Sequence, residues 1–505
     1  MIVSAPRILK IVLVLMASLI FIVGCGEEPA PETDAEPTVE IALESAEEEP
    51  TPTAVSPTNT PDPTNTPNPT NTPSPTNTAV PTETPPPTET PLPTTEPTAV
   101  PRQTFYVSPS GSNEDGLSWE TAWSELDQID WAQIEPADLI LLDGGDEQMV
   151  YETTLTPKAS GEEGAPIRIQ VAEENGRNGQ VIIAGGRAYE LPYCFQDDFV
   201  EVESDGLRDG ILLENVSWLI IDGGKWRGIV IHEAEVHGID FDPNTDHITL
   251  RNMEIYNNGF AKFEESWIPN GTGITLDGTN HQLQRLIIHD NGHDAIQSGG
   301  ETLDSITISE SWMYNSIPHP EVTEQSSNYC THTDAFQIYG GEVVENINIE
   351  DSVLGPGFTN TIIFGDKVVN VNKVSFNNVL ILKGAENNLS AHSTATLDVK
   401  EWSFNQVTVI SNNSAFNAIT FKGAEITIEN SIFLGGHINI PNSEPIAANN
   451  CQWDTTGITI GEEINPQFVS AEAAPFSIEQ YEPQAEACAD KGSTIFSPED
   501  LLARE

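Results

Sequence analysis

One unit recurs through the chain and limits what it can fold into. Ile248-Thr249-Leu250-Arg251-Asn252-Met253-Glu254-Ile255-Tyr256-Asn257 aligns with Ile306-Thr307-Ile308-Ser309-Glu310-Ser311-Trp312-Met313-Tyr314-Asn315. It aligns again with Ile347-Asn348-Ile349-Glu350-Asp351-Ser352-Val353-Leu354, and 374–381, 402–409 and 426–433 continue the series. A second short strand recurs between these units, at 238–241, 273–276, 295–298, 335–338, 361–364 and 418–421. Where no insertion intervenes the repeat is roughly 20 to 28 residues, the spacing of a solenoid. Alternation within the second strand has period two, so Ile274, Ile296, Phe336, Ile362 and Ile419 are expected to stack inward. Helical patterning is nearly absent here. The expectation is an all-β stack of parallel strands over 104–470.

The flanks read differently. Residues 1–25 carry Arg7 and Lys10 ahead of an apolar run, a targeting segment rather than part of the fold. Residues 26–103 are rich in Pro, Thr and Glu, with tandem Pro-Thr-Asn-Thr units. Such a segment buries too little apolar surface to offset its ordering entropy, so a disordered, extended stalk is expected. At the start of the domain, Trp123, Leu126, Ile129 and Ile134 recur at roughly helical spacing, which predicts an amphipathic helix over 121–134. Residues 471–505 form a C-terminal tail or cap.

Charge and cysteine content narrow the function classes. With 78 acidic against 20 basic side chains the formal net charge is -58, which argues against nucleic-acid binding. An acidic substrate would be repelled unless a cation or local basic residues intervene. The cysteines form no Cys-x-x-Cys pair, and Cys194, Cys330, Cys451 and Cys488 leave three disulfide pairings open. A monomer is expected.

Stacking the repeats brings several polar residues to one corner. His237, Thr272, Asp294, Asp334, Asn360 and Asn417 each precede the second strand and form a column. Two insertions enter at the same corner. One carries Lys262, Phe263 and Trp267, the other His319, Tyr329 and Cys330, so these loops would wall a groove. Asp294 and Asp334 would stand on adjacent strands, close enough that one pKa should rise, which suits general acid and base work with His293 and His332 tuning or shuttling protons. The same residues with Asn360 could instead hold Ca²⁺, or the column could cap backbone N–H groups at the turn. Gln297 and Gln337 should point outward beside Asp240 and Thr275, where amides suit sugar hydroxyls or a self-paired ladder.

Two resemblances add to this. Ile22-Val23-Gly24-Cys25 resembles the lipobox of bacterial lipoproteins, which implies a lipid anchor on Cys25 and a membrane-anchored, extracellular location. Residues 105–470 resemble the pectate-lyase-like superfamily of right-handed parallel β-helices, whose members include polysaccharide lyases, polygalacturonase-type hydrolases and alginate epimerases. The N-terminal segment resembles the helix that caps such coils. Gly292-His293-Asp294-Ala295-Ile296 sits where polygalacturonases carry Asp-Asp-Cys-Ile, while Thr361-Ile362-Ile363 replaces their Arg-Ile-Lys. Phe241-Asp242-Pro243-Asn244 is similar to the Phe-Asp-Pro-His of alginate epimerases. The resemblance implies a polysaccharide partner, including uronate-containing ones. Three functions follow from it: glycoside hydrolysis by Asp294 and Asp334, Ca²⁺-assisted elimination with Lys262 or a groove histidine as base, and non-catalytic glycan binding.

Overall fold

The computed structural model describes residues 100–186, 208–259, 271–300, 302–314, 333–356, 360–364, 370–382, 387–391, 398–411, 417–420, 423–440, 444–468 and 482–495. Cys25, nearly all of the expected stalk, Cys194, Lys262, Phe263, Trp267, Tyr329, Cys330 and His332 lie outside them.

Every ladder between named strands is parallel, in a 23-stranded sheet and a 10-stranded sheet. The longer strands explain how the larger sheet turns. Asp246–Tyr256 pairs through Ile248 and Leu250 with Ser217–Asp222, then through Met253 and Ile255 with Ile229–His232. Between the two halves Asn252 has φ 61°, and Asp351 and Asn378 repeat the bend in Val343–Leu354 and Asn370–Ile381 with φ 47° and 54°. Asn and Asp are the non-glycine residues that tolerate this left-handed conformation most readily. One rung therefore presents two faces of the larger sheet, and the 10-stranded sheet supplies a third.

Inward alternation builds the core as columns. In the smaller sheet Ile239, Ile274, Ile296, Phe336 and Ile362 follow one another in register, and all five are buried. The backbone register continues from Ile362 through Leu389 to Ile419. In the larger sheet Leu250, Leu283, Ile308, Ile349, Phe376, Phe404 and Ile428 form a matching column. Each such side chain contributes up to roughly 1.5–3 kcal/mol by leaving water.

One rung is not apparent from the apolar pattern. The strand Gln282–His289 follows His281, which lies inward between Ile248 and Ile306 where an aliphatic residue is expected. His281 is fully buried: Nδ1 accepts the Ile248 N–H (3.2 Å) and Nε2 lies 3.0 Å from the Asp277 carbonyl oxygen. Burial lowers its pKa to about 4, so the ring is neutral and belongs to the core.

The two ends differ from expectation. The segment predicted as an amphipathic helix holds only the 3₁₀ turns Leu126–Gln128 and Trp131–Gln133, the second capped by Asp130, whose carboxylate accepts the Ala132 N–H. Trp123, Leu126, Ile129 and Ile134 are all buried, so the apolar spacing marked the buried face correctly. Three-residue spacing also suits a 3₁₀ turn, in which side chains at i and i+3 eclipse. At the other end Cys451 and Cys488 form a disulfide. Residues 482–495 run over the outer face of the larger sheet, where Ser493 N–H donates to Thr408 Oγ1 (2.9 Å) and Thr494 N–H to Asn378 Oδ1 (2.7 Å). Cys488 and Ile495 are buried there, in an apolar cluster with Leu380 and Ile432.

Candidate functional site

The corner column exists, and it is longer than the sequence suggested. Asp209 pairs with His237 at its start, and the register carries on through Thr272, Asp294, Asp334, Asn360 and Asn387. Small residues follow the polar ones for a steric reason. A Cβ at Gly238 would lie 2.5 Å from the Ile255 side chain and 2.6 Å from the Gly273 carbonyl oxygen. This crowding accounts for His-Gly and Thr-Gly in the early rungs.

The column is wired by side-chain acceptors. Asp209 Oδ1 accepts the His237 N–H (3.2 Å), and His237 Nδ1 accepts the Thr272 N–H (3.2 Å). Asp294 Oδ1 accepts the Asp334 N–H (2.7 Å), and Asp334 Oδ1 accepts the Asn360 N–H (2.9 Å) and its side-chain amide (3.1 Å). Asp294 and Asp334 are both 0% exposed. The expectation that this pair stands open to a groove is therefore corrected: each carboxylate is turned along the stack and caps the next rung's amide. The metal set expected from Asp294, Asp334 and Asn360 meets the same obstacle, because these groups already bond one another. Among the described residues a cluster with metal-ligand spacing occurs at Asp209, His237 and Asp240 instead.

Asp294 keeps one connection toward the surface. Its Oδ2 accepts from Gln297 Nε2 (2.8 Å) and lies 2.9 Å from His293 Nδ1. The His293 side chain is 13% exposed, so a buried carboxylate orients a ring that reaches the edge of solvent. Burial alone would lower the His293 pKa, but the charge and hydrogen bond of Asp294 outweigh it and raise it. Gln297 and Gln337 stand on the outer face in register with Thr275 and Asp240, as expected, and Gln297 Nε2 donates to Gln337 Oε1 (2.7 Å).

The cluster at the start of the column is electrostatically strained. Ligand atoms of Asp209, His237 and Asp240 all lie within 4.8 Å of one another. Burial, then the neighbouring Asp240 charge, raises the Asp209 pKa to about 6. Burial lowers the His237 pKa, so that ring is neutral. With Nδ1 accepting from Thr272, the His237 proton resides on Nε2. The available donors are then the two carboxylates, which suit a hard, oxygen-seeking cation such as Ca²⁺. A divalent cation would relieve the repulsion that raises Asp209. The sequence reading began its column at His237 and missed Asp209. The signal was present, because Asp209-Gly210-Ile211 has the same polar-Gly-Ile spelling as His237-Gly238-Ile239.

No family model and no curated protein matches this chain. Among solved structures it is similar to pectate lyase Pel9A, with 14% identity over 74% of this chain and 84% of that one, at a TM-score of 0.40. XylC in complex with xylose gives 9% identity over 72% and 87%, at a TM-score of 0.41. A mannuronic acid specific polysaccharide family 6 lyase from human gut microbiota gives 12% over 70% and 82%, also at 0.41. Overlaps this loose leave function to be argued from the site itself.

Proposed function

We propose that this chain is an extracellular, polysaccharide-active protein that engages a uronate-containing glycan on the outer face of the 10-stranded sheet. Asp209 and Asp240 hold a divalent cation there, with His237 as a neutral wall. The observation that carries this reading is the Asp209–His237–Asp240 cluster at the head of the polar row Asp240, Thr275, Gln297, Gln337. A chain with a formal net charge of -58 needs such a cation to accept an anionic polymer.

The chemistry that fits is β-elimination, with His293 as base and Asp294 as the residue that positions it. When bound, a cation would screen a uronate carboxylate and anchor the polymer at Asp209 and Asp240. At its own rung His293 takes the proton of the C–H bond beside the carboxylate of a further uronate, the electron pair forms the C=C bond, and the glycosidic C–O bond breaks as the leaving oxygen gains a proton from water. His293 lies two rungs from Asp240, about 10 Å along the stack, so a polymer rather than a single sugar spans both. Hydrolysis by Asp294 and Asp334 as an acid–base pair needs access that their burial denies. Glycan binding without cleavage is the second reading, favoured by the outward polar row Asp240, Thr275, Gln297 and Gln337, whose groups suit sugar hydroxyls.

The test incubates the full chain with polygalacturonate and with alginate, with and without Ca²⁺, and follows the near-ultraviolet absorbance of an unsaturated product. Elimination requires product formation that EDTA stops and that His293→Ala removes. Shortened polymer without unsaturation, or activity indifferent to both EDTA and Asp209→Asn, would overturn the proposal. Binding that needs Ca²⁺ with no chain shortening would select the second reading.

A further inference from the structure

Two glycine pairs, Gly299-Gly300 and Gly340-Gly341, follow the strands that carry Gln297 and Gln337. Neither Gly299 nor Gly300 takes a left-handed φ, so the backbone does not require glycine at either position. What lies against them does. A Cβ at Gly299 would collide with Cζ, Oη and Cε1 of Tyr339 together, which places it over the face of the phenol ring and not at its edge. The Tyr339 ring therefore lies flat across Gly299, where a side chain of that rung would otherwise project. A Cβ at Gly300 would collide with the Asp277 carboxylate, whose Oδ1 accepts the Gly300 N–H (2.8 Å) and the Ser298 hydroxyl (3.0 Å). Asp277 thus pins the turn that follows Gly299.

Register puts this ring on the glycan face. Ser298 pairs with Ile338, and the Tyr339 N–H extends the ladder by donating to the Ser298 carbonyl oxygen (3.0 Å). Tyr339 follows Gln337 by two residues, so it stands on the same outward side, about 7 Å further along the strand. One face of the ring rests on Gly299, the other is turned away from the sheet, and Tyr339 is 38% exposed. An exposed tyrosine alone is ordinary. A glycine in the neighbouring rung that forfeits side-chain packing so that the ring lies flat is not, because it opens the far face of the ring instead of burying it.

We propose that Tyr339 is the stacking platform of the glycan face, on which one pyranose ring of the bound polymer lies by its C–H side. The inference rests on the reading that a polysaccharide occupies this face, and it adds a contact that works by ring shape and not by charge. The C–H side of a pyranose is its least polar surface, and a tyrosine ring offers a flat apolar area to meet it. Register places Tyr339 three rungs from Asp240, about 14 Å along the stack, so cation and platform hold different units of one polymer. Asp209 and Asp240 answer to the carboxylate, Tyr339 to the ring.

Three substitutions isolate the platform. Tyr339→Phe keeps the ring face, Tyr339→Ala removes it, and Gly299→Ala lifts it from its seat. Oligogalacturonate and oligomannuronate are titrated by calorimetry into the full chain, in Ca²⁺ and in EDTA. Tyr339→Ala should weaken binding in Ca²⁺ roughly fivefold or more, and Tyr339→Phe should stay within about twofold of wild type. Gly299→Ala should weaken binding when Tyr339 is present and do nothing further once Tyr339 is alanine. Should Gly299→Ala fail to fold, the two Tyr339 variants still decide. Unchanged affinity in Tyr339→Ala, or an equal loss in Tyr339→Phe, would overturn the platform and leave the cation reading intact where wild-type binding needs Ca²⁺. Binding that persists in EDTA and still falls in Tyr339→Ala would uphold the platform and overturn the cation. A wild type that binds neither oligomer in Ca²⁺ would overturn both.

Discussion

Asp209→Asn separates the charge of Asp209 from its place in the ladder. The substitution keeps an oxygen that can accept the His237 N–H, and it deletes the negative charge that burial and Asp240 oppose. The folded-state pKa of about 6 stands above the ordinary aspartate value of 3.8. The folded chain therefore binds the extra proton between these values, and stability falls as pH rises through this window. A shift of this size corresponds to about 3 kcal/mol above pH 6, at about 1.4 kcal/mol per unit. In EDTA, Asp209→Asn should thus melt a few degrees higher than wild type at pH 8 and should match it at pH 3.5. Comparing variant with wild type cancels the other titrating groups. Adding Ca²⁺ at pH 8 should raise the wild-type midpoint and leave the variant unmoved, since the cation acts by binding the folded form. Differential scanning fluorimetry over a pH series in both buffers is sufficient. A variant less stable than wild type at pH 8 in EDTA would refute the reasoning, because it would mean that Asp209 contributes more as a charge than it costs.

Substitutions at two further positions probe the buried polar groups. Asp294→Ala removes the acceptor of the Asp334 N–H and should cost about 1–3 kcal/mol in denaturant unfolding, whereas Asp294→Asn should cost less yet lower the His293 pKa in an NMR titration. His281, neutral in the core with a pKa of about 4, should make the protein lose stability as pH falls from 6.5 toward 4, because only the unfolded chain takes up the proton. His281→Gln should flatten that limb of the stability curve; an unchanged slope would show that another group carries it.

How much of this was legible in the sequence depends on what kind of signal each part needs. Period-two alternation of Ile and Phe marks an inward column without reference to any partner, so Ile274, Ile296, Phe336 and Ile362 could be placed by spacing alone. The rung at His281 broke that signal, because a histidine that hydrogen-bonds to backbone on both sides is spelled like a surface residue. The helix expected over 121–134 failed for a related reason, since burial at every third position does not distinguish a helix from successive 3₁₀ turns.

The polar column shows the deeper limit. Register could bring Asp294 beside Asp334, but it could not say whether a carboxylate turns outward to solvent or along the stack to the next amide. Only the side-chain torsion decides that, and the unsatisfied N–H of the following rung supplies the reason to turn along. The same reasoning makes Asp209 different. It caps His237 with one oxygen, yet it also stands beside Asp240, whose charge no downstream carboxylate of the column duplicates. In a solenoid every rung repeats the structural demand, so function is best sought where a rung carries charge beyond that demand. Asp209 with Asp240 meets this criterion, and Asp294 meets it only through the partly exposed ring of His293.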